Sequence, residues 1–263
     1  MTALRNVFAL VETEWRHYFG SPIAWVALTI WTLLFGLFHV VVFRAFLLYS
    51  MQSAQQMEFG AGPKLSLNDL VIGHVLQNMA VVALFITPML TMRLFAEEKR
   101  QGTLELLATA PLTAWQIILG KFLGALSLVA LMIAASLLNF VLLWRYATVA
   151  PEWKPVATGV LGLLLLSACF IAVGLFVSTL TRNQIVAGTL TFGLLLGFWI
   201  LGWVGDASSG PVMQVVTYLG LLPHLEGFMK GVLELKDVVF YLSFVALGLF
   251  LAHQSVESQR WRA

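Results

Sequence analysis

The stretch FAEEKRQGTLELLATAPLTAWQIILGK, residues 95–121, places Glu97, Glu98, Lys99 and Arg100 side by side in a 263-residue chain of which only 11% is charged. Apolar sequence flanks it on both sides, predicting membrane spans at 71–94 and 116–143; roughly 18 apolar residues in a row suffice for a spanning helix. Four more windows of this kind, at 22–43, 157–180, 185–204 and 238–253, bring the expected total to six. With 60% hydrophobic residues and a mean hydropathy of +0.89, the chain has too little charge to cover a soluble surface of this size. The expected fold is an all-α polytopic membrane protein.

Within the quoted loop the sequence punctuates itself. Gly102-Thr103 can end one helix and cap another, and Leu104–Thr109 is long enough for about one and a half turns. Ala110-Pro111 then stops that helix. Thr113-Ala-Trp-Gln116 is a capping-box pattern opening the next span. A short helix between two spans, preceded by a charged corner, is therefore expected across 95–115. Leu104, Leu106 and Leu107 give it an apolar edge that suits a groove on a soluble partner. Movement of that partner would pass into both attached spans.

Working outward, residues 1–21 read as an amphipathic helix on the membrane surface rather than a cleaved signal peptide, with Leu4, Val7, Phe8, Val11 and Trp15 on one face. Ser21-Pro22 is a helix start, Ser66–Asp69 another, and Thr87-Pro88 predicts a kink. Segment 205–237 holds apolar pieces of about ten residues broken by Gly210-Pro211, Gly220 and Pro223; they are too short to cross and suggest re-entrant outer helices. Basic residues orient the chain. With the N-terminus inside, Arg5, Arg16, Arg93, Lys99, Arg100, Lys121, Arg182, Arg260 and Arg262 are cytoplasmic. Arg44, Lys64, Arg145, Lys154, Lys230 and Lys236 are outside, and an even span count returns the C-terminus to the cytoplasm.

The composition excludes several chemistries. A net charge of +2 gives no reason to expect a nucleic-acid partner, and Cys169, the single cysteine, reads as a small buried hydrophobe. The histidines lack metal-ligand spacing, and Gly120-Lys121 lacks the glycine and hydroxyl positions of a phosphate-binding loop. No metal and no cofactor of its own are therefore expected. His39, His74, Gln77, Asn78 and Asn139 fall at similar depth in the outer halves of their spans. They either line an outward-facing cavity or pin the bundle by interhelical hydrogen bonds. No span interior contains Asp or Glu, which argues against a proton-driven carrier. Gly120-x-x-x-Gly124, Gly193-x-x-x-Gly197 and Gly159-x-x-Gly162 are expected to allow close helix approach, within the bundle or else at a subunit interface.

The stretch AEEKRQGTLELLATAPLTAWQIILGKFLGAL resembles the cytoplasmic loop of ABC-2 type permeases, the membrane subunits of one class of ATP-binding-cassette transporters. ETEWRHYFGSPIAWVAL and LPHLEGFMKGVLELKDVVFYLSFVALGLFLAHQSVESQRW are similar to the gliding-motility-type group of these permeases. The resemblance implies a permease that couples ATP hydrolysis in a separate nucleotide-binding subunit, which binds the ATP and magnesium, to export of a substrate. It implies a second permease copy or paralogue in a bacterial inner membrane, and a periplasmic accessory protein is a further candidate partner beside membrane lipid. It assigns the charged corner and the residues after it, Glu97, Glu98, Lys99, Arg100, Gly102, Thr103, Leu104 and Glu105, to ATPase coupling. His224 and Glu226 are carried over as outer-segment residues. The rival readings are a membrane anchor that docks an ATPase without transport, and an ion-driven secondary carrier.

Overall fold

The computed structural model describes residues 2–58, 68–103, 112–146, 152–206 and 210–260. The elements are α1 (Thr2–Gly20), α2 (Pro22–Glu58), a π-helical turn (Asn68–Gly73), α3 (His74–Thr91), α4 (Ala96–Gln101), α5 (Ala114–Tyr146), α6 (Trp153–Leu180), α7 (Gln184–Asp206), α8 (Pro211–Leu219), α9 (Pro223–Met229) and α10 (Leu235–Arg260). Six stretches are long and apolar enough to cross a membrane, and the chain is an all-α multi-pass membrane protein. The second crossing runs from Leu70 through α4 to Gln101, and the sixth from Leu235 to Gln259, longer than the 238–253 expected.

Several start and stop signals act as read. The Thr113 amide donates to Gln116 Oε1 at 3.2 Å while the Gln116 amide donates to Thr113 Oγ1 at 3.3 Å, a reciprocal capping box. α2 begins at Pro22. Pro88 lies inside α3, where it removes one backbone donor, and the Thr91 hydroxyl donates to the Thr87 carbonyl at 2.9 Å. The expected cap at Ser66 and the short helix at Leu104–Thr109 fall outside the described residues. Two short helices, α8 and α9, precede the last span and pack back on α7 and α6 respectively.

α6 is the axis of the bundle. It packs against α3, α5, α7, α9 and α10, whereas α2 touches chiefly α3 and α5 and leaves most of its apolar surface open. Glycines set the closest approaches. A Cβ at Gly120 would lie 2.5 Å from Leu10 Cβ, and one at Gly124 2.8 Å from Glu14 Cβ, so this pair seats α1 on α5. Gly159 and Gly162 admit Leu76 and Phe228.

One expectation is corrected. Among the described residues Gly193 and Gly197 meet nothing within 4 Å, so their face of α7 is not packed within the bundle. Periodicity shows a stripe of small residues but does not name the helix that faces it. The face of α1 that packs on α5 carries Leu10 and Glu14, while Leu4 and Phe8 of the apolar face are 69% and 71% exposed.

At Gly248 in α10 an added Cβ would lie 2.9 Å from Ala172 Cβ and 3.2 Å from the Ala172 carbonyl carbon, neither of which can swing away. Gly248→Ala is expected to cost about 1–3 kcal/mol through overpacking. Gly193→Ala should cost nothing and gain slightly in helix propensity. Thermal unfolding of the detergent-solubilised protein checks the pair, and equal melting temperatures would count against this packing.

Candidate functional site

α4, the helix formed by the charged run, has no capping side chain of its own. Its first amides are satisfied from α6 instead: Phe95 N and Ala96 N both donate to Ser178 Oγ at 3.0 Å. The Ser178 hydroxyl donates onward to the Met92 carbonyl at 3.3 Å. Lys99 Nζ donates to the Thr179 carbonyl, which also accepts from Ser255 Oγ at 3.4 Å and Gln259 Nε2 at 2.9 Å, both on α10. Gly102, with φ of 72°, ends α4 in the left-handed conformation, and the Thr103 amide donates to the Glu98 carbonyl at 3.0 Å.

The second attachment is electrostatic. Lys121, two turns inside α5, is 4% exposed. Its ammonium lies 2.7 Å from Glu14 Oε1 of α1 and 2.7 Å from Glu98 Oε1 of α4. It also sits 5.3 Å from the centroid of the Phe95 ring. One ammonium bridges an oxygen of each of two carboxylates where water is scarce, which makes each member costly to remove alone. α1 is held further by Trp15 Nε1 donating to Ser127 Oγ at 2.6 Å, and by Asn6 Nδ2 donating to Gln116 Oε1 at 3.5 Å.

The charged run therefore divides. Glu98 and Lys99 turn inward to α5 and α6, while Arg100 is exposed and Glu97 accepts only from Gln101 of its own helix, at 3.2 Å. Leu104 and Glu105 lie outside the described residues. The sequence reading missed Lys121, Glu14, Ser178 and Thr179. Lys121 carried a usable signal, a lysine inside a predicted span, which by default needs a partner.

Of the five polar residues expected at one depth, the structure groups some and separates others. The His39 ring lies 5.7 Å from the Phe140 ring, edge to face, next to Asn139, and its Nδ1 is buried without a partner. Asn139 Nδ2 donates within its own helix, to the Ser136 carbonyl at 3.5 Å. His74 and Gln77 are exposed on α3, and Asn78 is half-buried.

At the opposite end of the bundle His224 is buried and Glu226 exposed. His224 Nδ1 is 2.7 Å from Asp237 Oδ1, Nε2 is 2.9 Å from the Tyr218 carbonyl, and the ring stacks on Phe240 at 3.9 Å. Both ring nitrogens face oxygen atoms. This ties α8 and α9 to the start of α10. Among the described residues no three His, Cys, Asp or Glu side chains form a group able to hold a metal.

Lys121→Met leaves two carboxylates facing each other with no cation between them and is expected to cost about 3–5 kcal/mol. Replacing all three members, Glu14→Gln and Glu98→Gln with Lys121→Met, should recover most of that loss. Thermal unfolding of wild type, Lys121→Met, the Glu14→Gln/Glu98→Gln double variant and the triple variant checks it, and additive losses would argue against a coupled triad.

Comparison with known proteins gives this geometry its context. The family model described as ABC-2 family transporter protein matches residues 8–253. Two curated proteins, described as "Probable multidrug ABC transporter permease YbhR" from Escherichia coli strain K12 and from Escherichia coli O157:H7, are each 26% identical over 178 residues, 66% of this chain. The match spans 46% of the length of those relatives. Since the family model covers nearly all of the sequence, including both helices that flank the charged corner, the chain belongs to the ABC-2 transporter family.

Proposed function

We propose that the chain is the permease subunit of an ATP-binding-cassette transporter, with ATP and magnesium bound and hydrolysed by a separate nucleotide-binding subunit. A second permease, identical or paralogous, completes the assembly, and the open Gly193-Gly197 face of α7 is available for it. The α4 end faces the cytoplasm with both termini, in a bacterial inner membrane, as the distribution of basic residues suggests. The observation that carries the reading is the mounting of α4. It offers Glu97 and Arg100 outward while Glu98, Lys99 and its own amides fix it to α1, α5 and α6.

On this reading the ATPase docks on the outward side of α4 and on residues 103–109, with Gly102 as the corner between them. Closure on ATP moves α4. The Lys121 triad passes that motion to α1 and α5, and the Ser178 and Thr179 contacts pass it to α6 and, through the shared carbonyl, to α10. The printed description of the E. coli relatives as multidrug permeases supports export of an amphipathic or apolar small molecule.

The test is co-purification with the ATPase encoded beside it, followed by native mass spectrometry. Wild type should carry the ATPase on a permease dimer. Glu97→Lys combined with Arg100→Glu, which removes only the exposed Gln101–Glu97 hydrogen bond within α4, should weaken the association about tenfold at low salt and less at high salt. Wild type that carries no ATPase under any condition would remove the ABC reading. Transport-competent wild type whose affinity is indifferent to the double reversal would move the docking surface elsewhere.

A further inference from the structure

The α4 end contains a cavity of about 630 Å³ between α1, the end of α3 and α4. Tyr18, Arg93, Glu98 and Lys121 are among the residues in its wall. Among the described residues, six buried side-chain polar atoms lack a hydrogen-bond partner, and three of them belong to this wall: Tyr18 Oη, Arg93 Nε and Glu98 Oε2. A buried polar atom left unpaired is costly, so such atoms point to a group that completes them. Their chemistry specifies that group. Arg93 lacks an anionic acceptor and Glu98 lacks a donor, since its other oxygen is already held by Lys121. Burial, with the Glu14 carboxylate adding to it, pushes the Tyr18 phenol far above its ordinary value, so it is present as a neutral hydroxyl able to donate.

A second cavity adjoins the first. It is a groove of about 470 Å³ between α2 and α3, and Met89 and Leu90 belong to both walls. Every residue lining it is apolar, and Val26 and Ile30 on α2 face Phe85 on α3, all three exposed. The polar cavity thus opens sideways into an apolar channel along two membrane-spanning helices. Head and tail are accommodated at the level where a lipid would present them.

We propose that the two cavities together form one binding site for a zwitterionic lipid with a primary-amine head, of the phosphoethanolamine type. Arg93 and Tyr18 take the phosphate, Glu98 Oε2 accepts from the ammonium, and one acyl chain lies in the groove. The carboxylates lining the polar cavity, Glu14, Glu97 and Glu98, outnumber its lysine and arginine, which disfavours a purely anionic head. A choline head has no N–H to give Glu98. The site stands whether or not the chain transports anything, because it is built within a single copy.

The experiment is native mass spectrometry of the delipidated full-length chain with equimolar phosphatidylethanolamine, phosphatidylcholine and phosphatidylglycerol of identical acyl chains, paired with thermal unfolding in each lipid. Phosphatidylethanolamine is expected to bind about tenfold more tightly than either competitor and alone to raise the melting temperature. Arg93→Gln and Tyr18→Phe should each lower affinity for all three lipids, which share the phosphate, whereas Glu98→Gln should remove the preference for phosphatidylethanolamine. Ile30→Trp, at an exposed position that the core does not depend on, should block the chain end and lower affinity for all three lipids with the fold intact. Equal binding of the three lipids overturns the proposal, as does a preference for phosphatidylglycerol, which would leave Glu98 without a role. Undiminished phosphatidylethanolamine affinity in both folded Arg93→Gln and folded Ile30→Trp would also overturn it, because the lipid would then sit elsewhere.

Discussion

The ammonium of Lys121 is the point on which one end of this molecule depends. A lysine two turns inside an apolar helix is tolerable only with a counterion, and here two carboxylates come from different helices, one before the first span and one before the third. The cation therefore fixes the height and rotation of α1 and α4 relative to α5 simultaneously. Glycine placement is subordinate to it: Gly120 and Gly124 let α1 come close enough for Glu14 to reach. Remove the charge and the glycines bring together a carboxylate pair instead.

Around this point the molecule is unevenly built. α6 and its neighbours are packed on most sides, with Thr179 at one end accepting three donors and Phe228 at the other entering the gap at Gly162. α2 and α7 turn much of their apolar surface outward. A rigid axis with two loosely held flanks suits the proposed coupling through α4, in which force would reach the axis through hydrogen bonds and the flanks through softer side-chain packing. The outer end has its own latch, His224 with Asp237, so α10 is pinned near both its ends.

Features written in local sequence were legible. The Thr113–Gln116 capping box, the stop at Gly102, the start at Pro22 and the broken helices before the last span each depend on residues within a turn of one another, and each stands in the structure as read. What failed was the choice of facing partner. Ser178 caps α4 from 82 residues away, and Lys121 meets Glu14 across 107; no periodicity encodes those pairings. For the same reason Gly193-Gly197 looks like Gly120-Gly124 in the sequence, although among the described residues only the second pair has a helix against it. The charged run divides between inward and outward side chains because four adjacent helical residues necessarily face different ways.

The cap that Ser178 supplies to α4 has a consequence for biogenesis. Chains emerge N-terminus first. Glu14 and Glu98 both precede Lys121, so when the third span enters the bilayer its lysine finds both counterions already synthesised. Ser178 and Thr179 come only at the end of the fourth span, and Gln259 at the end of the sixth. Until α6 is in place, α4 has unsatisfied amides, and six residues are too few to hold a helix alone. The corner that an ATPase would recognise is therefore assembled late, by the insertion of α6. A nascent or truncated chain ending before Ser178 would carry the charged run without its shape.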